Sequence, residues 1–185
     1  MVSKRKMPLV WKIIVLLLAM SFLMVTSVVA QDVAVGQATA TVQTPLTVTA
    51  TAALAFGTIF QGVPVSVAET NASAGIFTMT GQAGSGISLF LQLPEYMSTA
   101  TGDDRMVIVF STTDCAIDTT ANADPTTFGS GWANENPFNL PSGVIIGTLS
   151  TQTVLFLGGQ VRPSVDQTSG AYTADVILTV AYNGT

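Results

Sequence analysis

An all-β fold, a single antiparallel β-sandwich behind a secretory signal peptide, is what this sequence predicts, on three observations. Beyond residue 30 no amphipathic pattern of helical period runs for a useful length. Thr, Val, Ala and Gly dominate instead, in short runs that alternate with period two. Gly, Pro, Asn and Asp break those runs at close spacing, which suits a sandwich better than a parallel sheet with helices.

Residues 1–30 carry the export signal. Lys4, Arg5, Lys6 and Lys12 precede an uncharged apolar run over 13–25, and Val28-Val29-Ala30 sets small side chains before Gln31. Cleavage after Ala30 is expected; the alternative is an uncleaved anchor, because 13–30 is uncharged and close to spanning length. No second apolar run of that length follows, so no membrane insertion is expected once the signal is gone. The mature product is then a domain over 31–185, secreted or held in the periplasm or at the cell surface.

The chain has Lys+Arg 6 against Asp+Glu 11, a net charge of −5, but the two signs are segregated. Past residue 30 only Arg105 and Arg162 remain, against all eleven acids, so the mature chain stands at −9 without a lysine. Nucleic-acid binding needs a basic stripe that displaces counterions, and two arginines cannot form one. With no His and one Cys, a histidine triad and a His or paired-Cys zinc site are excluded. Schiff-base lysine chemistry is excluded in the mature chain. No motif implies a cofactor, and no enzymatic activity is expected.

Candidate strands in chain order are 38–51 (interrupted at Pro45), 54–60, 63–67, 75–80, 87–93, 106–111, 143–149, 152–161 and 171–182. Turn signals separate several of them: Gln61-Gly62, Gly81 to Gly84, Gly102-Asp103-Asp104 and Thr168-Ser169-Gly170. In the last strand Tyr172, Ala174, Val176, Leu178, Val180 and Tyr182 form one alternating set, and the opposite set is mostly polar or small. The first set is expected to face the core. Residues 112–142 show little periodicity and read as one long loop, with Phe128, Trp132 and Phe138 suggesting a packed excursion.

The stretch 38–59, ATATVQTPLTVTATAALAFGTI, resembles the opening of the bacterial secreted family known as domain of unknown function 4402. Phe77-Thr-Met-Thr-Gly81, Ile87-Ser-Leu-Phe-Leu-Gln-Leu-Pro94, Leu157-Gly-Gly-Gln-Val161, Gly170-Ala-Tyr-Thr173 and Val180-Ala-Tyr182 follow in that family's order. The resemblance spans nearly all of the mature chain. It implies an immunoglobulin-like β-sandwich in envelope or surface proteins of Gram-negative bacteria, with no catalytic residues. The C-terminal strand also resembles those of spore-coat-U-like and chaperone–usher pilin subunits, which commonly carry a disulfide that a single Cys cannot form internally.

Five groups of residues are candidates for function. Asp103, Asp104, Asp114 and Asp118 are possible cation ligands, although their spacing is not that of a calcium loop and solvated turns are the simpler expectation. Cys115 is expected to be a small buried apolar residue; an intermolecular disulfide is the alternative. Trp132 is a candidate for stacking on sugar, against the simpler role of pinning the 112–142 loop. Asn71 and Asn183 match the glycosylation pattern. Finally, 33–42 alternates Ala34, Gly36, Ala38, Ala40 and Val42 against Val33, Val35, Gln37, Thr39 and Thr41. Such a segment either forms the first strand of its own sheet or adds to a neighbour's open edge, with Val33, Val35, Ala38, Ala40 and Val42 as assembly residues. The function expected is therefore a structural or surface-assembly protein, fimbria-like or part of an envelope layer. Its partners would be copies of itself or other surface subunits. The alternative is a carbohydrate- or surface-binding module that uses the 112–142 loop.

Overall fold

The computed structural model describes residues 8–22, 33–147 and 151–184. The cleavage site expected at 28–30 lies outside the described residues. The chain divides into a unit Met1–Thr41 and a compact β unit Val42–Thr185. In the first, the apolar run forms helix α1 (Leu9–Phe22). Its 14 residues span about 21 Å at 1.5 Å per residue. Among the described residues no helix is long and apolar enough to cross a membrane.

Among the described residues of the β unit are twelve strands: β1 (Thr47–Ala52), β2 (Val65–Val67), β3 (Gly75–Thr80), β4 (Gly86–Gln92), β5 (Tyr96–Ser98), β6 (Arg105–Val109), β7 (Cys115–Asp118), β8 (Trp132–Glu135), β9 (Ser142–Ile145), β10 (Gln152–Leu157), β11 (Gly159–Arg162) and β12 (Ile177–Tyr182). They form three sheets, ordered β1-β3-β10-β7-β8, β2-β11-β6-β5 and β12-β4-β9. Every ladder is antiparallel. The sheets pack together as an all-β sandwich around one main core. Phe77, Met79, Cys115, Ile117, Leu155 and Leu157 come to it from the first sheet, Met106, Ile108 and Val161 from the second, and Ile87 and Leu91 from the third.

A second, smaller core lies on the other face of the first sheet. Alternation turns Ile76, Val154 and Phe156 away from the main core, and Trp132 covers them. Trp132 lies nearly parallel to Phe156 at 4.8 Å between ring centroids, and Phe128 meets it edge-on at 4.9 Å. The region 112–142 is thus not one loop. It contains β7 and β8, paired with each other, and β7 also pairs with β10. The packed excursion expected from its aromatics is the turn between them.

Other boundaries depart from the sequence expectations for identifiable reasons. The run 38–51 pairs only from Thr47 onward. Residues 54–60 set Leu54, Phe56 and Ile59 against the core, but the period-two alternation breaks after Phe56 and no strand forms. Gly57, at φ 68°, turns the chain there into a region that suits glycine. The run 152–161 is two strands in two sheets, bent at Gly158. A Cβ on Gly158 would lie 2.5 Å from the Val67 carbonyl oxygen, so only glycine fits the crossing. The run 171–182 joins its ladder only from Ile177, opposite Gln92, because beyond that point Leu93 and Pro94 carry the partner chain toward β5. Its alternating burial nevertheless holds along the whole run, with Tyr172, Val176, Leu178, Val180 and Tyr182 packed on the core as expected.

Candidate functional site

Two terminal strands of different sheets, β1 and β12, border the same side of the sandwich. At one end Tyr182 joins them: its hydroxyl donates to the Thr44 carbonyl (2.8 Å) and accepts from the Gln82 N–H (2.7 Å). Toward the other end they part around an apolar cleft of about 290 Å³. Ala50 and Ala52 line one wall, Ala174 and Val176 the other, and Phe77 and Leu157 of the main core lie at its base. Asp175 is the one charged lining residue.

The register shows why the cleft is open. Val48 pairs with Met79 and Ala50 with Phe77, so both share the inward face of the first sheet. Met79 is fully buried, yet Val48 is 38% exposed and Ala50 is exposed. Inward-facing side chains at this edge therefore reach solvent. Among the described residues β1 has a ladder partner only in β3 and β12 only in β4, which leaves one edge of each without a ladder.

Val33, Val35, Ala38, Ala40 and Val42 are all exposed, Val35 at 88% and Val42 at 94%. No strand occurs over 33–46, so among the described residues this segment has no ladder partner. The expectation of a first strand of its own sheet over this segment is corrected: β1 begins at Thr47.

The four aspartates do not converge. Asp103 is exposed in the turn before β6. Asp114 Oδ2 accepts from the Ser111 N–H (2.7 Å) and closes a turn. Asp118 is fully buried: its Oδ1 accepts from the Thr120 N–H and hydroxyl, both at 2.6 Å, while its Oδ2 has no hydrogen-bond partner. Among the described residues no three His, Cys, Asp or Glu side chains gather where a metal ion could be held.

Asp104 is the organised member. Its Oδ2 accepts from the Tyr172 hydroxyl (2.7 Å), the Thr168 N–H (2.8 Å) and Gln167 Nε2 (2.8 Å), and its Oδ1 from the Arg105 N–H (2.8 Å). These donors, Tyr172 foremost, hold the carboxyl well below the usual carboxylate range. The Tyr172 hydroxyl also lies 2.7 Å from the Thr168 carbonyl four residues upstream, which closes the 168–172 turn. The cluster is a staple. Gln167 and Tyr172 were not singled out as its members from the sequence, although Gly170-Ala-Tyr-Thr173 marks the place.

Cys115 is fully buried, and burial, then the charges of Glu135, Glu69 and Asp114, push its thiol up to about 12. It fills the core as expected. Trp132 has one face on Phe156, Phe128 at its edge and its Nε1–H donated to Asn134 Oδ1 (2.9 Å), the geometry of a residue that pins its turn. No family model matches the chain, and neither does any curated protein or solved structure.

Proposed function

We propose that this chain is an exported, non-enzymatic surface-assembly subunit in which residues 33–42 of one copy add as a strand along the β1–β12 cleft of the next. One observation carries the reading: the same chain holds an exposed, uncharged, alternating segment without a ladder and an open apolar cleft flanked by two unpaired strand edges. Backbone hydrogen bonds to an edge would supply affinity, and alternate side chains entering the cleft would supply register. Neutrality matters here. Two copies at about −9 repel, and an uncharged segment is the part that approaches a like-charged neighbour at least cost. The resemblance to the domain of unknown function 4402 family and to pilin subunits agrees with a place at a Gram-negative cell surface.

The test compares the chain from Gln31 with one lacking residues 31–42 and with Ala50→Arg, by light scattering and electron microscopy. Ala50 is exposed, so arginine there obstructs the cleft without entering the core. Both variants should remain folded monomers while the parent forms polymers. Polymers that survive both changes, or a parent that stays monomeric at every concentration, would overturn the reading.

A further inference from the structure

On a different flank, between β4 and the β5–β6 pair, lies an open groove of about 660 Å³, within the size range of ligand sites. Its base is buried apolar surface: Leu91, Ile108 and Phe110. Three aromatic rings stand around it in solvent, Phe90 at 66% exposure, Phe138 at 62% and Tyr96 at 49%. Phe90 lies on the outward side of β4, between Ser88 and Gln92, where alternation calls for a polar residue. Three polar groups line the same groove with no hydrogen-bond partner among the described residues: the Gln92 amide, the Glu95 carboxylate and the Tyr96 hydroxyl.

We infer that this groove binds a neutral pyranose oligosaccharide. A pyranose is amphipathic in the matching sense, with apolar C–H faces that lie on aromatic rings and hydroxyls at its edge that need acceptors and donors. The site offers rings for the first and an amide, a carboxylate and a phenol for the second. Its only charge is Glu95, on a domain with eleven acids and two bases, which selects against acidic glycans. Trp132 takes no part, being committed to Phe156.

The chain from Gln31 is titrated with cellohexaose, maltohexaose and chitohexaose, and with polygalacturonate as the acidic control, by calorimetry and saturation-transfer NMR. At least one neutral probe should bind, with Phe90, Tyr96 and Phe138 protons receiving the transfer. Phe90→Ala, Tyr96→Ala and Phe138→Ala should each weaken binding about tenfold, equivalent to about 1.4 kcal/mol. Their melting temperatures should stay near that of the parent, because these side chains are exposed. Glu95→Gln should weaken neutral binding, because a carboxylate accepts from sugar hydroxyls more strongly than an amide does, and should relieve exclusion of the acidic probe. Failure of all three neutral probes at millimolar concentration, or binding that persists in the Phe90→Ala/Tyr96→Ala double variant, overturns the proposal. So does self-association abolished by Phe90→Ala, which would make the groove a protein interface. Since Ala50→Arg does not touch this groove, sugar binding by that variant separates this proposal from the assembly reading.

Discussion

Asp104 shows how one half-exposed carboxylate makes a sandwich sensitive to acid. Its folded pKa lies below the unfolded value of about 3.9, so the carboxylate stabilises the fold fully above that value. The contribution declines as pH falls from about 5 toward the depressed folded value, because the unfolded chain takes up the proton first. Asp104→Asn should therefore lower the melting temperature at pH 7 and lower it by somewhat less at pH 3, where the loss has begun but is far from complete. A deficit equal at both pH values would mean that the side chain acts by shape alone. Tyr172→Phe removes the foremost donor and should blunt the same acid dependence. At Cys115 the expectation is inertness: the thiol is buried and pushed up to about 12, so little thiolate forms at neutral pH. Iodoacetamide should label Cys115 only after denaturation, and non-reducing electrophoresis should show no dimer. Rapid labelling of the native protein would contradict the burial.

Among the elements, Gly158 is where one extended run becomes two strands. β10 serves the first sheet and β11 the second, and the backbone at the bend passes so close to Val67 and Glu69 that a Cβ would meet main-chain atoms. Gly158→Ala should cost about 3 kcal/mol in urea unfolding, at the upper end for overpacking, since backbone yields less than a side chain end. A cost below about 0.5 kcal/mol would show that the crossing has slack. From the alternating sequence, 152–161 reads as one strand because Gly158-Gly159 is the only sign of the bend. What was legible was periodicity: Gly75–Thr80 is β3 to the residue, and the inward set on the last strand packs as read. What was not legible was pairing. Leu54 and Phe56 alternate as a strand does, but Gly57 breaks the period before Ile59 and no ladder forms there, while β7 and β8 are too short to show a period. The candidate site was half visible in the same sense. The 33–42 segment stands out by pattern, whereas the cleft depends on which strands end up terminal, and only the assembled sheets decide that.

For the whole molecule, scarcity of cationic side chains turns proteolysis into a gauge of cooperativity. From Gln31 onward trypsin has two sites, Arg105 and Arg162, and Pro163 blocks the second. Arg105 is exposed, but its backbone is held: it opens β6 opposite Ser98, its N–H donates to Asp104 and its carbonyl accepts from Gln167 Nε2 (3.2 Å). A protease needs an extended, unpaired segment, so cutting requires this corner to come apart. β6 is interior to its sheet, between β11 and β5, and its neighbours Met106 and Ile108 are core residues. Releasing it should therefore amount to global rather than local opening. The chain from Gln31 should give two fragments from a single cut, at a rate that tracks the folded–unfolded equilibrium as urea is added below the transition. Asp104→Asn should speed that cut by the same factor by which it shifts the unfolding equilibrium. A rate insensitive to urea would place the cut in local fraying of β5 and β6, and would mean that the sandwich opens first at the corner that Asp104 and Tyr172 hold.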